Sequence, residues 1–449
     1  MSRHKQQLIK SSFILLLAFS TAFFSRLVDT AGAPATINFV HLAVVPAASL
    51  YLVVSSRTKL LKQIISAQVL LFSLLFFLLS VITSAFFNYA GFINIALSYL
   101  LWVEAYIFLC AFVSIPLSVD SVASIKTWLM RISIFHIGLA LLQKVLLEVG
   151  LLKTTKMNIL QDNIQGVFYL SGGGHVIGAS VSIAFAAYCF SQSKFSLTFK
   201  MGVLVAAMTQ LVVADAKQVL FVSFAAWLIL ILTKVADIKK VLIYGTLGAL
   251  SLAILVWCVN NFEAFRGFKT WIRPEIYGPQ GEARLLKLSS IHIIQSYHEN
   301  FLHWLFGLGP GHTVERLGGW MIPKYESLLK PLGVTSHPVS QEVWDAFFSS
   351  WLGGKSSMFS PFFGWAGMWG DLGIVGLIAY GSILAAIWVY ICADDLSKFL
   401  LLTVVVNGLI FAQMQEPGYM LYTTLVIGLR FQERVLEEGQ RSHHRLVVH

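Results

Sequence analysis

Apolar residues run along this chain in blocks of about 20, separated by short polar breaks, from Ser11 almost to the C-terminus. A block of that length crosses the ~30 Å hydrocarbon core of a bilayer as one helix. The pattern predicts helices near 10–28, 36–55, 65–88, 93–116, 128–149, 172–191, 200–215, 217–233, 240–260, 359–391, 398–415 and 417–431. Two divisions are tight: Asp215 separates one pair of blocks and Gln415-Glu-Pro417 another. Pro417 suits the first turn of a new helix, where no backbone N–H is needed. The 359–391 block exceeds one crossing, so its start is expected along the outer interface. The expected fold is an all-α polytopic membrane protein of about 12 transmembrane helices. It divides into helices one to nine in 1–260, an external loop in 261–358, and helices ten to twelve with a cytoplasmic tail in 359–449.

The external loop carries its own helical pattern between Arg284 and Phe306. At a 3.6-residue period Leu286, Ile293, Tyr297 and Trp304 share one face, with Arg284, Lys287, Gln295 and His298 opposite. Such a helix suits the bilayer surface or a cap on the bundle. The first block, preceded by Arg3, Lys5 and Lys10 and followed by Ala31-Gly-Ala33, has features of a secretory leader. Because many further blocks follow, it is expected to stay as an uncleaved helix.

Composition agrees with a membrane setting. Of 449 residues 57% are hydrophobic and only 12% charged, with a mean hydropathy of +0.74; a soluble domain carries about twice that charged share. The net charge of +10 matters less than its placement. With the N-terminus inside, the inner segments hold 18 of the 32 Lys and Arg, the short outer segments five, and the long loop nine. Short loops govern orientation, so the bias predicts an even number of crossings with both termini cytoplasmic. Lys156 is among the five and Arg57 among the 18. Cys110, Cys189, Cys258 and Cys392 fall in separate blocks without metal or CxxC spacing, and read as small core residues. No nucleic-acid motif, P-loop, HExxH or GxSxG occurs, and no acidic cluster falls outside. Asp394-Asp395 maps to the inner side. No metal, cofactor or nucleic-acid partner is therefore expected.

Ionisable residues at the ends of apolar blocks are informative because burying them in hydrocarbon costs several kcal/mol. They gather on the outer side. His175 follows Gly172-Gly-Gly174, Asp215 and Lys217 occupy a tight turn, and Glu416 occupies another. Arg284 and Gly307-Leu-Gly-Pro-Gly311-His312 belong to the loop. Lys217 reads either as an interfacial lysine paired with Asp215 or as a fixed cation facing an anionic ligand. The glycine turn reads either as an ordinary tight turn or as a nest of N–H groups for an anion. Glu104 and His136, both inside blocks, read either as a structural pair, the preferred reading, or as a proton relay.

Four stretches occur in order over residues 160–430. They are Gly166-Val-Phe-Tyr-Leu-Ser-Gly-Gly-Gly-His175, Asp215-Ala-Lys217-Gln218, Glu282-Ala-Arg284 with Leu305-Phe-Gly-Leu-Gly-Pro-Gly311, and Trp369-Gly-Asp-Leu-Gly-Ile-Val-Gly376-Leu. As an ordered set they resemble the bacterial O-antigen ligase and O-antigen polymerase superfamily, membrane glycosyltransferases of the GT-C kind. Ligases of that superfamily usually carry arginine where this chain has Lys217. They also tend to have a His-Asn pair where it reads Ser356-Ser-Met-Phe-Ser-Pro361. Both departures point toward a polymerase of exopolysaccharide or capsule type.

The resemblance implies chemistry at the periplasmic face of the inner membrane. An acceptor sugar hydroxyl attacks the anomeric carbon of a glycan carried on undecaprenyl diphosphate, and lipid diphosphate leaves. It assigns Lys217 and Arg284, with Gly309 and Gly311, to the diphosphate. His312 is the first candidate for the base, followed by His175, His337 and Glu416. Trp320, Tyr325, Trp344 and Trp351 read either as a sugar groove or as interfacial anchors. The implied partners are lipid-linked donor and acceptor glycans, membrane lipids, a chain-length regulator and a flippase. The alternatives are a ligase delivering polysaccharide to lipid A-core, and a lipid-linked oligosaccharide flippase or transporter. A transporter is expected to show internal repeats and polar residues at mid-bilayer.

Overall fold

A computed structural model describes residues 10–56, 58–154, 159–234, 237–263, 273–355 and 357–447. Arg3, Lys5, Arg57, Lys156 and Ser356 lie outside the described residues. All regular structure in the described residues is helical. The main helices are α1 (Ser11–Phe23), α2 (His41–Ser55), α3 (Leu61–Phe87), α4 (Phe92–Ser114), α5 (Val119–Glu148), α6 (Gly174–Ser191), α7 (Leu197–Val213), α8 (Gln218–Leu232) and α9 (Ile238–Asn261). After these come α10 (Glu282–Ser296), α11 (Phe301–Phe306), α12 (Pro338–Ser349), α13 (Gly364–Ala386), α14 (Asp395–Ile410) and α15 (Pro417–Val447).

Among the described residues six segments are long and apolar enough to cross a membrane: α3, α4, α5, α6, Val241–Asn261 of α9, and Gly364–Ile391, which is α13 with the π-helical turn that follows it. Shorter apolar helices α1, α2, α7 and α8 accompany them. This is the architecture of an α-helical membrane protein. The last helix differs from expectation, running on to Val447 where the apolar pattern ends at 431.

Serines set how closely two of the long helices approach. Ser66 Oγ donates to the Tyr390 carbonyl (3.1 Å), Ser73 to Ser382 (3.4 Å) and Ser84 to Asp371 (2.6 Å). Rising numbers on α3 meet falling numbers on α13, so the two run antiparallel with small polar residues between them. Aromatic rings fill the centre of the bundle, with Phe23 stacked on Tyr422 at 5.9 Å and edge-on to Phe168 at 5.2 Å. At one end of the bundle short connections are tied by ion pairs, among them Lys62–Glu438, Lys126–Glu433 and Arg430–Asp394. The other end carries the longer connections, including the segment between α9 and α13.

Glu104 does not pair with His136. The His136 ring sits where Gly166 and Gly178 leave room for it, with Nε2 donating to the Gly178 carbonyl (3.0 Å) and Nδ1 accepting the Val167 N–H (3.2 Å). Backbone takes both ring nitrogens, so no donor remains for a carboxylate. The expected 284–306 helix is also two helices. Asn300 caps α11 by accepting the His303 N–H (3.1 Å), which ends the first segment at Ser296. Lys287 leaves the polar face assigned to it. It is largely buried, donating to the carbonyls of Ser360 (2.9 Å) and Ile410 (2.5 Å) over the Phe363 ring, and burial pushes it down to about 7. A cation at the C-terminus of α14 thereby pins the loop to the bundle.

Helix α13 is broken at Gly373, whose φ of +63° lies outside the helical range. The break frees carbonyls, and the glycine turn takes them up. Leu308 N–H donates to the Gly370 carbonyl (2.7 Å) and Gly309 N–H to that of Asp371 (3.1 Å). The approach is backbone to backbone. A Cβ on Gly307 would lie 2.3 Å from the Asp371 carbonyl carbon, and one on Gly373 2.5 Å from that of Leu305.

Candidate functional site

A cavity of about 530 Å³ opens at the end of the bundle that carries the long connections. Its polar lining includes Arg26 and Asn38 before α2, His41 on its first turn, Ser171 before α6, Arg316 and Lys324 from the long loop, and Glu416 between α14 and α15. Trp320, Tyr325, Trp344, Phe39 and Phe411 form its aromatic walls. The Trp320 and Trp344 rings meet edge-on at 4.8 Å, as do those of Tyr325 and Phe39.

Arg316 is held from behind by two consecutive residues of another loop. Glu315 is fully buried and accepts the Trp102 indole N–H (2.5 Å) and the Gln415 amide (3.1 Å). The same Gln415 accepts the Arg316 backbone N–H at its Oε1 (2.9 Å), and Glu416 pairs with the guanidinium. Burial pushes the Glu315 carboxyl up from its ordinary range. Gln415-Glu416 therefore matches Glu315-Arg316 residue for residue, fixing the backbone and the guanidinium together. Arg26 lies 3.8 Å from Asp29, which also receives the Asn38 amide (2.7 Å). Lys324 sits 5.5 Å from the centroid of the Tyr325 ring. Three cations and one carboxylate thus line the cavity, a net positive bowl with aromatic sides.

His41 adds a polar pair to the wall. Its Nδ1 lies 2.8 Å from both carboxylate oxygens of Glu104, which is buried on α4.

Of the residues singled out by sequence, Glu416 lines this cavity, as do Trp320, Tyr325 and Trp344. Gly172 and Gly173 also line it, while His175 turns toward Asp162, 3.8 Å from its Nε2. Lys217 pairs with Asp215 at the tight turn between α7 and α8. Close by, burial and the Asp215 charge raise the Asp162 carboxyl to about 7, against the pull of Lys217. His312 is buried, with Nδ1 on the Leu308 carbonyl and Nε2 on Thr335 Oγ1, both at 2.8 Å, and burial pushes it down to about 4. His337 stacks on it at 5.9 Å and caps α12.

Gly309 and Gly311 present their N–H groups inward. Gly311 donates to Asp371 Oδ2 and Thr313 to Asp371 Oδ1, each at 2.7 Å. An internal carboxylate thus takes the N–H groups of Gly311 and Thr313, while that of Gly309 goes to the Asp371 backbone carbonyl. Arg284 is exposed on α10, and Trp351 is half exposed beside Lys355, 5.1 Å from its ring; neither lines the cavity. Arg26, His41, Arg316 and Lys324 are the residues that sequence reasoning missed. For His41 and Glu104 a signal existed, since an ionisable residue inside an apolar block is a site candidate. Arg316 and Lys324 sit in a loop without motif. Among the described residues no three His, Cys, Asp or Glu side chains converge as metal ligands.

No family model matches the chain, and no curated protein is significantly similar to it.

Proposed function

We propose that this protein is a membrane glycosyltransferase that polymerises oligosaccharide repeats carried on undecaprenyl diphosphate, working at the periplasmic face of the bacterial inner membrane. The observation that carries this reading is the convergence of Arg26, Arg316 and Lys324 with tryptophan and tyrosine rings in one cavity. A lipid diphosphate sugar needs both features, cations for the phosphates and flat apolar faces for the pyranose rings. Arginine offers a planar two-pronged donor and lysine a compact charge.

The bond from the anomeric carbon to the diphosphate oxygen breaks as the acceptor oxygen attacks, so negative charge on the diphosphate grows toward the transition state. Cations already held in place stabilise that growth more than they stabilise the bound donor. Glu416 keeps the Arg316 guanidinium aimed, and Gln415 fixes its backbone. Transfer to lipid A-core, or movement of the lipid-linked glycan without bond formation, would use the same anion contacts and differ in the product.

The test is synthesis of a glycan ladder by the purified protein in proteoliposomes, from a lipid diphosphate-linked repeat with EDTA present. Arg316→Ala should cut the rate by about 10²–10³ while the melting curve in detergent stays near that of the parent. Normal ladders from Arg316→Ala would take the cavity out of the reaction. Loss of activity in EDTA, restored by Mg²⁺, would give the neutralising role to a metal. Protected lipid-linked glycan with no new bond would favour the flippase reading.

A further inference from the structure

We infer that His41 and Glu104 are a proton-accepting dyad that activates the acceptor hydroxyl in this cavity; the inference rests on the glycosyl-transfer reading above. Glu104 is a carboxylate in the interior of the bundle, and among the described residues His41 is its one hydrogen-bonded partner. A buried carboxylate demands a donor, so the neutral imidazole carries its proton on Nδ1 and keeps a lone pair on Nε2. That nitrogen has no protein partner among the described residues, and the ring lines the cavity. Other histidines fail one of these conditions. His136 and His312 have both ring nitrogens engaged, His337 spends Nδ1 on the cap of α12, and His175 lies off the cavity lining.

The charged groups that line the cavity with His41 are Arg26, Arg316, Lys324 and Glu416. Glu104 lies behind the ring, with both carboxylate oxygens 2.8 Å from Nδ1. In the reaction the acceptor O–H proton passes to Nε2. The oxygen lone pair forms the new bond to the anomeric carbon, and the old C–O pair departs on the diphosphate. The imidazolium then returns its proton to solvent. Atoms and charge balance without a further reactant.

The experiment uses the same proteoliposomes and lipid diphosphate-linked repeat, with kcat and the donor KM measured from pH 5 to 9 beside a melting curve. Wild type should show an acid limb in kcat/KM. His41→Gln should lower kcat by about 10²–10⁴, leave the donor KM unchanged, and abolish the limb. Glu104→Gln keeps an acceptor for Nδ1–H but removes the charge, so it should move the limb to lower pH. If His41→Gln does not fold, the position of the Glu104→Gln limb decides, and an unmoved limb overturns the dyad. Folded His41→Gln with wild-type kcat also overturns it, leaving a tie between α2 and α4. The two readings fail separately. Product that is lost in Arg316→Ala but retained in His41→Gln sinks the dyad alone, and no product from wild type sinks both.

Discussion

Asp162 holds its proton more tightly in the folded protein than in the unfolded chain, at about 7 against an ordinary 3.8. The folded state therefore binds more protons between those values, and stability contributed by this group falls as pH rises through that window. Its cost is absent near pH 4 and full above pH 7. Asp162→Asn should then raise the melting temperature at pH 8 and leave it nearly unchanged near pH 4, read by thermal melts in detergent across that range. A gain that is constant with pH would mean that asparagine acts through packing. The same cluster bears on how residues are read from sequence. Lys217 was visible as a cation interrupting apolar sequence, but its neighbour Asp215 takes the charge. Glu416 was legible because Pro417 marks the turn. Arg316 was not, since the partners that define it, Gln415 and Glu416, come about a hundred residues later and nothing local announces them.

At the scale of elements, the glycine turn and the broken helix α13 are one unit. Gly307 has φ +71° and Gly333 φ +84°, but of the two only Gly307 would place an added Cβ against another backbone; a Cβ on Gly333 meets nothing within 4 Å. Gly333→Ala should cost about 1–2 kcal/mol, the ordinary penalty of left-handed backbone. Gly307→Ala adds a clash with Asp371 backbone that cannot rotate away, so it should depress the melting point much further and abolish ladder formation. Equal melting points for the two variants would show that the turn is free to move off the helix. Helix existence was largely legible, because a 20-residue apolar block has few other solutions. What the turn grips was not, because the same N–H groups serve an external anion or an internal Asp371 equally well. The 284–306 pattern misled for a related reason. Periodicity sees through His298-Glu299-Asn300, whereas the Asn300 cap starts a new helix there.

For the whole molecule, the charge bias of 18 against five predicts an even number of crossings with both termini in the cytoplasm. Reporter fusions after Lys240 and Lys398 should read cytoplasmic, and fusions at Gly281 and Gly333 periplasmic. A cytoplasmic signal at Gly281 would turn the cavity to the wrong side for a lipid-linked glycan. The cavity itself draws on residues from Arg26 to Pro417. A chain leaving the ribosome inserts its early helices while the last wall is still untranslated, so the bowl exists only as an open half until α15 is in place. Arg26 and His41 wait for most of synthesis before Gln415 and Glu416 arrive to fasten Arg316 opposite them. A chain stopped before Gln415 thus carries most of the hydrophobic bundle and an unfinished cavity.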